Sequence, residues 1–406
     1  MSNSRIIESL SKHVLTDGFH IVVDTDKSEG SWIVDVETGN KYLDCYSQFA
    51  SQALGWNHPA LVNAQFRLGK VAMHKLANSD MYSKEYHNFV ERFASITPDF
   101  SHYFFIEGGA LGVENALKAA FDWKAQKLGI SSSEATNKMD VAHMYRAFHG
   151  RTGYTLSTTN TDTIKTKRFP QFNWTTMFDV DTLGQYINDN TAAILLEPIQ
   201  GEGGDNHFSK EVFTELRHLA DKHEAMLIFD EVQTGVGLTG KMWAYEHFGV
   251  IPDMMCFGKK TQVCGFCSTE RIDEVKFNVF NTSGRINSTW GGNIVDMSRF
   301  CCIIDTIEAE NLVHNAQSVG RHLLWSLRSI EGLDNVRGRG LMVAFDLKDG
   351  KERDTLMEAI QHRMIALKCG HKSIRLRPAL TFSTEDVDMA SSIIKQAVAD
   401  FLRRQQ

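Results

Sequence analysis

The sequence predicts an α/β protein in which helices cover both faces of a mainly parallel sheet, together with a smaller α+β domain. In the middle of the chain, short apolar runs alternate with longer amphipathic stretches, as in Ala192–Leu196, residues 209–223 and Met226–Phe229. Strands that are apolar along their whole length are typical of parallel sheets buried on both sides. Their alternation with helices indicates βαβ units.

In chain order, the first expected strands are Gly30–Asp35 and Lys41–Leu43, which we expect to join the small domain. Tyr103–Ile106 follows and leads through a glycine turn into a helix over residues 113–124. Further along, the apolar pattern predicts a long helix over 294–330, a strand at Leu341–Leu347, a helix near 353–367, a strand at Ser373–Leu376 and a last helix from about Thr384.

These elements divide the chain into three parts. We expect an N-terminal segment, residues 1–55, that packs with the small domain. A large domain, residues 56–295, holds the alternating strands and helices, and a small α+β domain occupies residues 296–406.

The composition excludes several classes of protein. The 406 residues carry 43 Lys and Arg against 50 Asp and Glu, a formal net charge of −7. Nucleic acid is not expected as a partner, because phosphate backbones need a basic face. Residues 1–15 contain Ser, Lys and Glu where a signal peptide needs an apolar run. No apolar run reaches the roughly 18–20 residues that span a bilayer, so we do not expect a membrane partner.

The cysteines predict a reducing environment. There are seven, an odd number scattered over the chain, which favours free thiols in the cytoplasm over a disulfide framework. Cys264 and Cys267 form a C-x-x-C pair, but no second ligand pair accompanies it at a suitable spacing. We therefore expect ordinary thiols near a loop and no metal site.

Two charged residues stand directly after apolar runs, where open α/β sheets place ligand sites. Asp230 ends the run in LIFDEVQTG; a Walker B role would require a loop G-x-x-x-x-G-K-[ST], which the sequence lacks, while a structural carboxylate stays an alternative. Lys259 follows the run in DMMCFGKKTQVCG, and a desolvated lysine has a lowered pKa and is nucleophilic. Composition alone does not separate Lys259 from Lys260 or from a solvated pair.

Small, hydroxyl and aromatic residues complete a cofactor site. Gly108-Gly109-Ala110 lies between a strand and a helix and can cradle a phosphate, and Asn287–Gly292 offers hydroxyl donors beside a turn. Pyridoxal phosphate needs a lysine for its aldehyde, a carboxylate at its ring nitrogen, a phosphate cup and a flat apolar wall. Lys259, Asp230, Gly109-Ala110 and Phe148 supply one of each.

The chain resembles the class III aminotransferases, the fold-type I group that contains ornithine, 4-aminobutyrate and lysine 6-aminotransferases. The resemblance rests, in family order, on the segments FFIEGGALGVENALKAAF, AFHGRTGYTLS, EPIQGEGG, LIFDEVQTG, FGKKTQVCG, NSTWGGN and SIRLRPALT. It covers about residues 30–382 and implies a large domain with a mainly parallel seven-stranded sheet. Segments KKTQVCG and EGGAL are most similar to the lysine-specific members.

The resemblance implies a role for each residue near the cofactor. Lys259 is expected to form the Schiff base and to carry the proton, and Asp230 to pair with the ring nitrogen. Gln233 is expected to bond the phenolic oxygen, and Phe148 to stack on the ring. The expected phosphate ligands are the backbone of Gly109 and Ala110, with Ser288 and Thr289 on the cofactor-binding loop. Thr289 would act on the partner subunit's phosphate, which implies a homodimer with sites at the subunit interface.

The resemblance also implies substrate-binding residues. Arg151 is expected to bind a carboxylate of the amino donor, since guanidinium binds carboxylates through two parallel hydrogen bonds. Arg375, with Arg377 as the alternative, is expected to bind the α-carboxylate of 2-oxoglutarate. Glu202 would neutralise Arg375 during the first half-reaction and then move away.

These expectations describe a cytoplasmic, homodimeric ω-aminotransferase that depends on pyridoxal phosphate. It would move the terminal amino group of L-lysine to 2-oxoglutarate by a ping-pong mechanism, giving 2-aminoadipate 6-semialdehyde and glutamate. The alternatives are an ornithine or 4-aminobutyrate aminotransferase, another pyridoxal-phosphate enzyme such as a racemase, mutase or decarboxylase, and a binding protein that has lost catalysis. The Glu202–Arg375 pair favours transamination, because the other reactions need no such switch.

Overall fold

A computed structural model of the protein describes residues 4–405; residues 1–3 and 406, the outer ends of the first and third predicted domains, lie outside the described residues. The helices are α1 Arg5–Leu10, α2 Ser47–Ala50, α3 Pro59–Ala72, α4 Lys84–Ser95, α5 Gly109–Leu128, α6 Ser132–Lys138, α7 Gly153–Ser157, α8 Lys210–Lys222, α9 Ile294–Ala309, α10 Leu312–Arg328, α11 Gly350–Ile360 and α12 Thr384–Gln405. Short 3₁₀ helices cover Thr163–Lys165, Val180–Gln185, Ala244–His247, Lys259–Thr261 and Glu270–Glu274.

The strands are β1 Trp32–Val34, β2 Lys41–Asp44, β3 His102–Ile106, β4 Asp140–Met144, β5 Thr176–Met177, β6 Thr191–Leu196, β7 Ile199–Gln200, β8 Asn206–His207, β9 Met226–Asp230, β10 Met254–Phe257, β11 Cys264–Ser268, β12 Asp334–Arg339, β13 Met342–Asp346, β14 Met364–Ile365, β15 Leu367–Cys369 and β16 Ser373–Leu376.

The large sheet has seven strands in the order β3-β11-β10-β9-β6-β4-β5. Strands β10, β9, β6, β4 and β5 pair in parallel, and β11 is antiparallel to both of its neighbours, so β3 runs in the common direction. The predicted α/β class and the mainly parallel seven-stranded sheet are confirmed.

Helices cover both faces of this sheet, and alternate residues of each strand serve the two faces. Ala193 and Leu195 of β6 pack into a cluster with Val113 and Leu117 of α5. Their neighbours Ile194 and Leu196 belong to the core on the other side, which includes Phe213 and Leu216 of α8 and Phe89 and Phe93 of α4. Every residue of β6, β9 and β10 is buried, which explains why their sequences are apolar without alternation.

Two smaller sheets involve the C-terminal part of the chain. Strands β12, β13, β16 and β15 form an antiparallel sheet. In the other sheet, β2 pairs antiparallel with β1 and parallel with β14, so the N-terminal strands meet a strand from near the C-terminus. The domain boundaries themselves stay a prediction.

Two local expectations were wrong. The helix expected over 294–330 is two helices, α9 and α10, separated at Asn311, which has a left-handed φ of 53°. The helix near 353–367 ends at Ile360, because the following residues pair as β14 and β15. Cys264 and Cys267 lie in β11, which begins at Cys264 directly after a loop, and both thiols are free as expected. Within residues 4–405 no helix is long and apolar enough to cross a membrane.

Candidate active site

A cavity of about 660 Å³ lies at the carboxyl ends of the parallel strands. Strands β3, β4, β6, β9 and β10 all run in the same direction, so the residues that follow them meet at one edge of the sheet. Of the residues predicted from the sequence, the cavity is lined by Gly109, Ala110, Phe148, Arg151, Glu202, Asp230, Gln233 and Lys259.

The two lysines of the doublet have different surroundings. Lys259 follows β10 with a left-handed φ of 55° and lines the cavity. Burial lowers its pKa to about 8, and the positive charge of Arg375 contributes in the same direction. Lys260 is buried away from the cavity, and its Nζ donates a hydrogen bond to the carbonyl of Ala50 at 2.6 Å. Lys259 is therefore the amine that faces the cavity.

Asp230, at the end of β9, is held by a residue that the sequence analysis missed. Its Oδ2 lies 2.8 Å from Nδ1 of buried His149, and its Oδ1 accepts the N–H of Val232 at 3.1 Å. An ionised carboxylate only accepts, so Nδ1 of His149 donates. The sequence offered one indication that His149 belongs to the site, namely its position directly after Phe148. The two hydrogen bonds fix the orientation of the Asp230 carboxylate.

The first turn of α5 forms a small-residue cradle. Gly108 precedes the helix with φ 103°, and no side chain caps the turn. A Cβ at Gly109 would lie 2.9 Å from Cγ1 of Val232, and one at Gly150 would lie 2.4 Å from Cβ of Ala110. The N–H groups of a first helical turn have no intrahelical partner and attract anions. The cradle therefore suits a phosphate group.

Phe148 is tied to the loop after β6 by Glu197, a second residue missed from the sequence. The two oxygens of this buried carboxylate accept the N–H groups of Phe148 and of Gly201, each at 3.0 Å. Burial raises the pKa of Glu197. Glu197 ends the apolar run of β6 as Asp230 ends that of β9, and this parallel was the indication in the sequence. The Glu197 carboxylate thus links Phe148, the aromatic wall of the cavity, to the loop that carries Glu202.

The two C-terminal arginines differ in their partners. Arg377 is fully buried, forms an ion pair with Asp205, and donates to the carbonyls of Val343 and Leu376 at 3.3 and 2.8 Å. Arg375 is also buried, but its Nε has no hydrogen-bond partner, and its Nη1 reaches only Oε1 of Gln233, at 3.3 Å. Burial lowers the pKa of Arg375, and the neighbouring Arg377 adds to this effect. Arg375 is the arginine with unused donors.

Glu202 is bonded to neither arginine. Its Oε1 forms an ion pair with Lys165 and accepts from the hydroxyl of Thr161 at 3.1 Å. Lys165 also donates to Thr161 Oγ1 at 2.9 Å, and the sequence analysis singled out neither residue. Arg151 is exposed at the cavity, with its guanidinium 6.0 Å from the ring centroid of Phe148.

Ser288 and Thr289 are not among the cavity-lining residues. Their loop lies against residues 77–79: the side-chain amide of Asn78 donates to the carbonyls of Trp290 and Gly292 at 2.9 and 3.1 Å. Thr289 is exposed to solvent in the single chain. Across residues 4–405, no three His, Cys, Asp or Glu side chains are grouped so that they could hold a metal ion.

Comparison with known proteins identifies the class of enzyme. The family model for class III aminotransferases matches residues 15–398, and the chain belongs to this family. It is 43% identical to the L-lysine-epsilon aminotransferase of Amycolatopsis lactamdurans, over 97% of this chain and 95% of that protein. It is 32% identical to human mitochondrial 4-aminobutyrate aminotransferase, over 95% of this chain and 86% of that protein.

A solved structure shows the same fold. The lysine aminotransferase from Mycobacterium tuberculosis, in the internal aldimine form, has a TM-score of 0.92 and 43% identity, with coverage of 97% of this chain and 98% of that one. The chain is thus a pyridoxal-phosphate-dependent aminotransferase that acts on small-molecule amino donors and acceptors.

The cavity fits this cofactor. An amine with a lowered pKa, a buried oriented carboxylate, an aromatic ring and an uncapped helix start line one space of about 660 Å³. Each is the chemical complement of one part of pyridoxal phosphate: its aldehyde, its ring nitrogen, its ring face and its phosphate.

Proposed function

We propose that this chain transfers the terminal amino group of L-lysine to 2-oxoglutarate, giving 2-aminoadipate 6-semialdehyde and glutamate. The observation that carries the proposal is the position of Arg375, a buried arginine with a free Nε. Arg375 does not itself line the cavity, but its Nη1 donates to Gln233, which lines the cavity together with Glu202. A reaction that alternates between an amine and a dicarboxylate needs a cation for the second substrate and a means of neutralising it for the first. The 43% identity to a lysine-specific relative supports lysine as the donor.

Lys259 is proposed as the group that moves the proton. When bound, pyridoxal phosphate supplies an aldehyde and an electron-withdrawing ring that stabilises negative charge on the substrate carbon. The Nζ of Lys259 would take the proton from that carbon and deliver it to the cofactor, which is the proton movement that amino transfer requires. A pKa of about 8 leaves a useful fraction of the amine neutral near neutral pH.

The other cavity residues hold and orient the cofactor. Asp230, fixed by His149, is placed to keep a ring nitrogen protonated. Phe148 provides the ring wall, and the N–H groups of Gly109 and Ala110 bind phosphate. Oε1 of Gln233 is occupied by Arg375 and Arg377, so its amide nitrogen is the group left to donate to a phenolic oxygen.

Two arginines bind the substrate carboxylates in the proposed reaction. Arg151, exposed at the cavity, binds the α-carboxylate of lysine and the distal carboxylate of 2-oxoglutarate. Arg375 binds the α-carboxylate of 2-oxoglutarate through its unused donors. Glu202 neutralises Arg375 while lysine is bound, because a buried cation without a partner is costly.

A homodimer is part of the proposal. Helix α3 buries none of its residues, and Phe66, Met73, Met81 and Tyr82, in and after this helix, are largely exposed. Several large apolar side chains exposed along one stretch of chain are a feature of subunit interfaces. The 287–292 loop packs against residues 77–79, which precede Met81 and Tyr82 in the chain, and this supports the proposal that Ser288 and Thr289 reach a partner's phosphate. The seven free thiols support the proposed cytoplasmic location.

A donor panel tests the function. Purified enzyme is assayed with 2-oxoglutarate and L-lysine, L-ornithine or 4-aminobutyrate, with glutamate formation as the readout. We expect the highest kcat/KM with lysine, because ornithine is one carbon shorter and 4-aminobutyrate lacks the α-amino group. A higher kcat/KM for either of the other donors would contradict the proposed substrate.

A further inference from the structure

Lys165 is a charged residue that contacts the carboxylate of Glu202 and that the proposed reaction does not use. It ends the 3₁₀ helix Thr163–Lys165, and its Nζ forms the ion pair with Glu202 and donates to Thr161. The same Nζ lies 5.6 Å from the centroid of the Phe148 ring. Lys165 is therefore next to the aromatic wall of the active site rather than on a free surface.

Charged groups of both signs surround the Lys165–Glu202 ion pair. Burial lowers the pKa of Lys165, the charge of Asp162 raises it, and the charges of Arg151 and Arg375 lower it. Arg151 lines the same cavity as Glu202, and Arg375 donates to Gln233, another residue of that lining. The ion pair therefore lies close to the guanidinium groups that are proposed to bind the substrate carboxylates.

The observed pairing corresponds to one of the two states that the reaction needs. Glu202 is on Lys165, and Arg375 retains a free Nε. A carboxylate that leaves Arg375 inside a protein needs another partner, because a desolvated, unpaired charge is costly. Lys165 and Thr161 provide that partner at the cavity wall.

We propose that Lys165 is the alternative ion-pair partner of Glu202 and holds this carboxylate away from Arg375 while the dicarboxylate acceptor binds. Lys165 is thus a positioning residue that acts through Glu202. The inference rests on the proposed function, since it requires Arg375 as the acceptor site. Its test is chosen to be independent of the identity of the amino donor.

The first test measures dicarboxylate binding. Enzyme loaded with pyridoxamine phosphate is titrated calorimetrically with glutarate, which has both carboxylates but no reactive carbonyl. In K165M, Glu202 returns to Arg375 and competes with the ligand, so we expect the dissociation constant to rise about tenfold. K165R, which keeps the charge, and K167M, which removes an exposed lysine two residues away, should stay within about twofold of the wild type.

The second test separates an effect through Glu202 from direct contact with the ligand. In an E202Q background, K165M should no longer weaken glutarate binding, because no carboxylate remains to be held. An undiminished loss would show that Lys165 binds the ligand itself and would overturn the proposal. Unchanged glutarate binding in K165M alone would overturn it as well.

Single-turnover kinetics give the third readout. K165M should slow the half-reaction of the pyridoxamine form with 2-oxoglutarate about tenfold and should not slow the half-reaction with the amino donor. Equal slowing of both half-reactions would indicate a merely structural role and contradict the proposal. If lysine proves inactive as a donor, the proposed function fails in the donor panel, while glutarate binding still decides the role of Lys165.

Discussion

The adjacent lysines 259 and 260 show that the surroundings of a side chain determine whether its amine is available for reaction. Both are removed from solvent to a large extent, but only Lys259 lines the active-site cavity, while Lys260 holds the carbonyl of Ala50. The carbonyl it holds belongs to α2, in which Ser47 through Ala50 all have positive φ. Non-glycine residues in that region are strained, so the hydrogen bond from Lys260 supports an unfavourable turn.

The lowered pKa of Lys259 leads to a pH prediction. Only the neutral amine attacks an aldehyde, and an amine is neutral above its pKa. We expect the rate at which the apoenzyme takes up pyridoxal phosphate to rise with pH to a midpoint near 8, instead of the 10.5 of ordinary lysine. Absorbance of the bound cofactor between pH 6 and 10 gives the profile.

Two variants control this experiment. K260M retains the cavity amine and should keep the midpoint near 8, with lower stability because the Ala50 carbonyl loses its donor. K259A should give no borohydride-stable label. Labelling of Lys260 in the K259A protein, or a wild-type midpoint near 10.5, would contradict the assignment.

At the residue scale, sequence patterns identified the groups that stand at strand ends but not the groups that hold them. His149 lies 81 residues from Asp230, and Lys165 lies 37 residues from Glu202. No local spacing rule connects residues so far apart. These residues come together because β4, β6 and β9 are adjacent parallel strands whose carboxyl ends lie at one edge of the sheet. This arrangement exists only in the folded chain.

Helix α5 shows how an element adapts to its neighbour. Gly112 lies in its first turn, and a Cβ there would come within 2.7 Å of the carbonyl oxygen of Gly265 in β11. Gly265 itself has φ 158° and no space for a side chain next to Phe104. The paired glycines let the helix and strand backbones approach closely, which positions the helix start over the cavity.

An alanine substitution tests this packing. In an unobstructed helix, Gly→Ala stabilises by roughly 1 kcal/mol, but a Cβ at Gly112 would meet the carbonyl oxygen of Gly265. We expect G112A to lower the free energy of unfolding by roughly 1–3 kcal/mol through overpacking. Thermal unfolding of G112A beside the wild type gives the comparison. A rise in Tm for G112A would show that the close approach carries no cost.

At the same scale, apolar runs and periodicity predicted strands β3, β6, β9, β13 and β16 and helices α5, α8 and α12, but they could not locate two interruptions. The break between α9 and α10 depends on a left-handed asparagine, which carries no periodicity change of its own. The short strands β14 and β15 have apolar residues that also suit a helix. They became strands because β2 and β16 offered partners, and such pairing overrides local propensity.

For the whole molecule, the proposed homodimer makes a prediction about shared active sites. Thr289 is exposed and absent from the cavity of its own chain, and its loop packs against residues 77–79, which precede the exposed Met81 and Tyr82 in the chain. We expect T289A to weaken pyridoxal phosphate binding about tenfold, as loss of a hydrogen bond to a charged group does. K259A should be inactive.

Mixed dimers provide the decisive measurement. When K259A and T289A chains are dissociated and reassociated together, one site of each mixed dimer combines an intact Lys259 with an intact Thr289 from the other chain. Activity should therefore recover toward a quarter of the wild-type level at low cofactor concentration, assuming random pairing. Mixed dimers that form without any recovery would show that Thr289 serves its own subunit.

The sequence by itself determined the α/β class, the family, the cofactor and the residues that follow strands β9 and β10. These features are local, because apolar runs, short motifs and their order along the chain can be recognised without knowledge of the fold. The tertiary structure decided the partners of Lys260 and Arg377 and the position of the Glu202 carboxylate. Those properties depend on burial and on partners distant in sequence, and both arise only when the sheets and helices pack together.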